Sequence, residues 1–121
     1  MNIISMIYIL NATLLLLHEI ESAYEKEWEI LKLPGKITGF LLFHIPIIFL
    51  IFYGIFEIER KSFIGLIFCV VFGISGIIPF IVHKIIVRKK HHFNLLISNI
   101  IIYLNILTGI CLLLLSVRGF A

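Results

Sequence analysis

Asn2 to Leu17 reads NIISMIYILNATLLLL and passes without a break into His18-Glu19-Ile20-Glu21-Ser22-Ala23-Tyr24-Glu25-Lys26-Glu27-Trp28-Glu29. The first part has the composition of a membrane span, yet at about 16 residues it falls short of the roughly 20 needed to cross a hydrocarbon core of about 30 Å. Its acidic continuation must therefore begin near the membrane boundary or inside a bundle. The run lacks a basic leading segment and a small-residue cleavage site, so it is expected to be a retained first helix and not a secretory signal. No Pro or Gly occurs before Leu33-Pro34-Gly35. This predicts one helix from about residue 2 to 31, roughly 45 Å long.

Working outward, the rest of the chain has the same solvent. Of 121 residues, 61% are hydrophobic and 14% charged, and the mean hydropathy is +1.16. A water-soluble domain of this size would leave a very large apolar surface exposed, so lipid is the expected partner of most of the chain. Three further spans are predicted at about 37–56, 63–87 and 94–117. Pro46 and Pro79 fall inside the second and third, where neighbouring helices can satisfy the carbonyls they release. The linkers are short, which favours antiparallel neighbours. The expected fold is all-α, an integral membrane four-helix bundle with an extended amphipathic first helix, as one transmembrane domain over 1–121.

The net charge of +3 lies in clusters beside the apolar runs, where Lys and Arg anchor helices, and this argues against a nucleic-acid partner. Lys26, Lys32, Lys36, Lys84, Arg88, Lys89 and Lys90 flank the first and third connections, against Arg60, Lys61 and Arg118 on the other side. The positive-inside rule then puts both termini outside. Tyr24 and Trp28 suit the interface as aromatic anchors. Cys69 and Cys111 lie in spans without a CxxC pair and read as packing residues. Gly65, Cys69, Gly73 and Gly76 form a small-residue face on the third span, which serves either internal packing or a homo-oligomer or partner-protein contact.

At 100° per residue, Asn11, His18, Glu21, Glu25 and Glu29 share a face within about 80°, with Ile20, Ala23, Tyr24 and Leu31 opposite. His18 with Glu21 and Glu25 aims an imidazole and two carboxylates into one space, as helical bundles do for metals. His44 in the second span and His83 at the end of the third lie at similar depth, and intramembrane ionisable groups are expensive unless paired. The candidate metal ligands for Zn²⁺ or Fe²⁺ are thus His18, Glu21, Glu25, His44 and His83, with Glu21 or Glu25 as general base. If the first two helices run straight from the Pro34-Gly35 turn, Glu25 lies level with His44 and His18 lies near Ile51. The alternative is that Glu19, Glu21, Glu25, Glu27 and Glu29 form a solvated surface balanced by lysines. On the fourth span, Asn94, Ser98 and Asn105 line one face with Gly109 and Ser116. They can orient ligands or join helices, and Asn105 is too deep to reach the cluster.

The run from Leu17 to Glu29, the Leu33-Pro34-Gly35 turn, Gly39-Phe40, His44-x-Pro46, Gly54, His83, Phe93 and Ser98 resemble an uncharacterised family of small bacterial four-helix membrane proteins. Its members carry a His-x-x-acid pair, then Tyr and Glu-Trp. The resemblance covers nearly the whole chain, implies a bacterial cytoplasmic membrane, and selects the same residues as the helical-face argument without supplying a reaction. A looser likeness to proteins with a His-x-x-Glu-Glu motif is broken at Ser22. Three functions are open on these residues. They are a metal-dependent, hydrolase-like membrane enzyme, an accessory subunit of a membrane complex, and a proton or divalent-cation relay.

Overall fold

A computed structural model of the chain describes residues 2–24, 26–30, 32–82 and 96–119. Among these described residues, six helices occur in the order α1 (Ile3–Tyr24), α2 (Glu27–Ile30), α3 (Lys36–Glu59), α4 (Phe63–Ser75), α5 (Ile78–Phe80) and α6 (Leu96–Arg118). Taking α4 and α5 as one broken span, four helices among the described residues are long and apolar enough to cross a membrane. They build the all-α four-helix bundle that the hydropathy pattern predicts.

The side chain of Asn2 starts α1 by accepting from the Ser5 N–H at 2.9 Å, which satisfies one of the open donors of the first turn. Ile4, Tyr8, Asn11, Leu15, His18 and Ser22 are buried at alternating spacings of four and three. Ser98, Ile102, Asn105, Gly109 and Leu112 repeat that rhythm on α6. This is the seam by which helices cross at a shallow angle and interlock side chains. Two polar contacts fix its register. Thr108 donates to Asn11 Oδ1 at 2.8 Å, and Ser98 donates to Glu21. The two contacts are ten residues apart on each helix, so α1 and α6 run antiparallel without slip over about 15 Å.

Asn11 also donates through Nδ2 to the Phe72 carbonyl of α4 at 2.8 Å. The same carbonyl accepts the Gly76 N–H at 3.0 Å, so one α4 oxygen serves both its own helix and α1. Close backbone approach completes the α4–α6 contact. A Cβ on Gly109 would lie 2.5 Å from the Gly73 carbonyl oxygen, a distance that only the absence of a side chain permits. The small-residue face of Gly65, Cys69, Gly73 and Gly76 is buried within the bundle.

The α3–α4 connection is a polar lock. Glu57, read from the sequence as linker, is 3% exposed. It accepts from Ser62 Oγ at 2.6 Å and from Arg60 at 3.1 Å. Ser62 in turn caps α4 by accepting the Gly65 N–H at 3.0 Å.

The first helix departs from the sequence reading. It ends at Tyr24, Lys26 turns into the left-handed region at φ 54, and the short α2 follows. The cause is tertiary. Trp28 is buried and packs on Phe40 of α3 with ring centroids 5.7 Å apart, which a straight continuation of α1 would not allow. Gly35 then takes φ 90 to start α3, a conformation that favours glycine. Glu29 is on α2 and does not extend the acidic stripe of α1. The third span is interrupted at Gly76-Ile77, one turn before Pro79.

Replacing Gly109 by Ala is expected to destabilise the bundle by about 1–3 kcal/mol, because backbone on α4 must move. Leu114→Ala, on the lipid-facing side of the same helix at 64% exposure, should change stability by less than about 0.5 kcal/mol. Reversible unfolding in mixed micelles measures both, and equal effects would contradict the assigned contact.

Candidate functional site

The buried residues of α3 are Ile51, Gly54, Glu57 and Ile58, all in its second half. Tyr8 pins that half to α1 by donating to the Ile51 carbonyl at 2.9 Å. The half from Lys36 to Leu50 faces α1 and α4 with no buried residue, although Ile47 packs partly buried against the core. Between them lies a cavity of about 1060 Å³, at the upper end of the range for small-molecule sites. Leu15, Leu16, Leu50, Ile51, Val71 and Phe72 line its deeper part, and Trp28, Leu33 and Pro34 line it beside the first connection. From Gly39 to Ile51 the α3 wall is about 18 Å long.

Among the described residues, the ionisable lining residues are His18, Glu19 and His44, with Ser22 beside them. His18 and Ser22 belong to the buried stripe of α1, at 5% and 3% exposure. Glu19 lies one residue round the helix and meets α3. Its Oε2 is 2.6 Å from His44 Nε2, and the side chains are 13% exposed for His44 and 29% for Glu19.

The other imidazole nitrogen settles the protonation chemistry. His44 Nδ1 is 2.7 Å from the Phe40 carbonyl oxygen. A carbonyl can only accept, so Nδ1 carries hydrogen and donates. Nε2 and Oε2 cannot face each other at 2.6 Å with two lone pairs, so one proton lies between them. Whichever atom holds it, the pair as a whole is uncharged, the arrangement that lowers the cost of placing two ionisable groups in a low-dielectric region. Phe40 stacks on the imidazole with centroids 4.1 Å apart, so Trp28, Phe40 and His44 form a continuous aromatic wall.

Of the residues expected to share a site, His18 and His44 border the same cavity. Glu21 turns instead toward α6 and accepts from Ser98, which gives Ser98 the helix-joining role. Glu25 and His83 lie outside the described residues, as do Asn94, His91 and His92. Among the described residues the carboxylate that meets His44 is Glu19; Glu25, which straight helices would bring level with it, lies outside them. Among the described residues, no three His, Cys, Asp or Glu side chains gather as a metal-holding group. While the Glu19 and Phe40 contacts are kept, both nitrogens of His44 are engaged.

Sequence reasoning left Glu19 off the face shared by His18 and Glu21, from which it points about 100° away, and named it only in the alternative of a solvated acidic surface. A helix packed against two neighbours on different sides buries more than one stripe. An acid beside the stripe was therefore as informative as one on it.

The four antiparallel spans and their buried polar seam define a small helical bundle of the kind that fits a membrane. The chain belongs to a family of unknown function, DUF6713, whose profile matches residues 4–119. No curated protein and no solved structure matches the chain.

A double-mutant cycle over Glu19→Gln and His44→Ala, read by unfolding in micelles, is expected to return a coupling energy of about 1–2 kcal/mol. Additivity within about 0.3 kcal/mol would mean that the two side chains do not interact.

Proposed function

We propose that this chain binds a membrane-resident amphiphile in the cavity between α1, α3 and α4. The apolar part of the ligand lies along Leu15, Leu50, Ile51 and Phe72, and its polar end meets Glu19, His44, His18 and Ser22. The observation that carries this reading is that, among the described residues, the ionisable groups of the lining gather at His18, Glu19 and His44, while most of the remaining wall is aliphatic or aromatic. Binding sites commonly combine such walls with a few convergent polar groups. Mass spectrometry of the purified protein is expected to find a co-purified amphiphile. Filling the cavity with Ile47→Phe and Leu50→Phe should lower its occupancy about tenfold. Unchanged occupancy in a folded double variant would refute the assignment.

A second reading is favoured by His18 bordering the same cavity as the Glu19–His44 pair. It is a metal-dependent, hydrolase-like enzyme with Zn²⁺ or Fe²⁺ drawn to ligands among His18, Glu21, Glu25, His44 and His83, and with Glu21 or Glu25 as general base. Tetrahedral bonds near 2.0 Å to N and O place those atoms about 3.3 Å apart, so the metal would have to replace the shared proton and open the pair. Elemental analysis tests this directly. Stoichiometric metal that disappears in His18→Ala and His44→Ala supports the enzyme, and metal-free protein with unchanged stability in both variants sinks it.

A further inference from the structure

The hairpin of α3 and α4 is closed beside its turn and open further along. A Cβ on Gly65 would lie 2.6 Å from the Glu57 carbonyl oxygen, and one on Gly54 would lie 2.7 Å from Phe68 Cδ1. These two contacts set an antiparallel register in which Ile51 stands level with Val71 and Ile47 with Ser75. At those levels both walls border the cavity, so helices that touch at Gly54 have parted about one turn later.

Two prolines supply the cause. Leu42 and Pro46 on α3, and Ser75 and Pro79 at the α4–α5 break, all line the cavity. Each ring therefore shares the cavity side of its span with the residue four positions before it. A proline has no N–H to give to that carbonyl and its ring presses on it, which bends the helix away from the ring's own side. With both rings turned inward, α3 and the α4–α5 span splay from each other.

The resulting gap is apolar and lies at hydrocarbon depth. Leu50 and Val71 line the cavity and are nonetheless 45% and 50% exposed, as residues at a mouth are. Both belong to helices apolar enough to cross a membrane, and Leu50 lies about 21 Å along α3 from Lys36. The α3 wall of the cavity, about 18 Å long, is close to half of a hydrocarbon core, about 15 Å, so it matches a chain of one leaflet. A chain arriving from water exposes its length before it enters, whereas one sliding in from the bilayer exchanges one apolar neighbour for another.

Resting on the binding reading above, we infer that the gap between α3 and the α4–α5 span is a side entrance. The cavity takes its ligand from the bilayer, and the occupant is the acyl chain of a lipid from the leaflet on the side of the first connection.

Ser75, half-buried and lining the cavity, reports on the route. Full-length protein with Cys69→Ala and Cys111→Ala carries a nitroxide at Ser75→Cys, at Leu114→Cys on the lipid-facing side, or at Lys61→Cys in the exposed turn, and is reconstituted in phosphatidylcholine vesicles. Collision with oxygen, which concentrates in hydrocarbon, is expected at Ser75 within about twofold of Leu114, and collision with a water-soluble nickel chelate at least about fivefold below Lys61. Pro46→Ala with Pro79→Ala should lower the oxygen access of Ser75 about threefold as the helices close up, and access unchanged by their loss refutes the proline-held gap. Should Ser75→Cys not fold, Ile47→Cys on the facing wall gives the same reading. Nickel access at Ser75 equal to that at Lys61 puts the entrance in water, and low access to both reagents closes the gap, so either result overturns the side entrance. Mass spectrometry of lipid bound to the same protein separates the two readings. A water-open Ser75 in occupied protein overturns the side entrance alone, whereas a lipid-open Ser75 in protein without a bound amphiphile overturns the binding reading.

Discussion

Asn11 carries a primary amide into the interior of a bundle whose outer surface is apolar, and its hydrogen bonds have to be found on other helices. One goes to the Phe72 carbonyl of α4 and one comes from Thr108 of α6. In a low-dielectric region an unmet amide is costly, so these contacts act as register pins as well as adhesives. With α1, α4 and α6 held at one level, Ser98 arrives opposite Glu21. The glycine contact between α4 and α6 follows from the same alignment, because it needs Gly73 and Gly109 at one height.

The position of α3 is a consequence of that three-helix unit. It is attached where Tyr8 reaches Ile51, and where Glu57, Arg60 and Ser62 close the turn into α4. Both of these lie in its second half, and its first half meets α1 at the Glu19–His44 pair and α2 where Trp28 packs on Phe40. The cavity is the volume between a tightly registered core and a helix fastened at one end. Its polar end exists because Glu19 and His44 are the groups available to bridge the gap, and sharing one proton lets them do so without net charge.

Much of this was open to inspection in the chain. Four apolar runs with short connections demand a helical bundle in lipid, since in that solvent each backbone N–H and C=O must be satisfied internally. The wheel of α1 grouped Asn11 and His18, which are buried, on one face and set Ile20 and Tyr24 opposite them, at 67% and 83% exposure. Ser98 was legible as a helix joiner and Gly73 as a close-contact residue. The extent of α1 was not, because nothing between Glu19 and Leu31 breaks helices by itself. Its end depends on Trp28 reaching Phe40, a contact between residues far from each other in any local window.

The site divides along the same line. That His18 and His44 need partners was determined by composition and depth, since an imidazole in an apolar span has few ways to be solvated. Which carboxylate serves His44 was decided by tertiary structure. One helical turn more or less in the connection changes which acid stands at its level, and that length was set by the packing of α2 and not by the residues of α1. The sequence by itself thus determined the apolar surroundings, the helix count and some of the buried polar residues, Asn11 and His18 among them but not Glu57. The pairing of Glu19 with His44, and the cavity beside them, arose only from where the helices are fastened to each other.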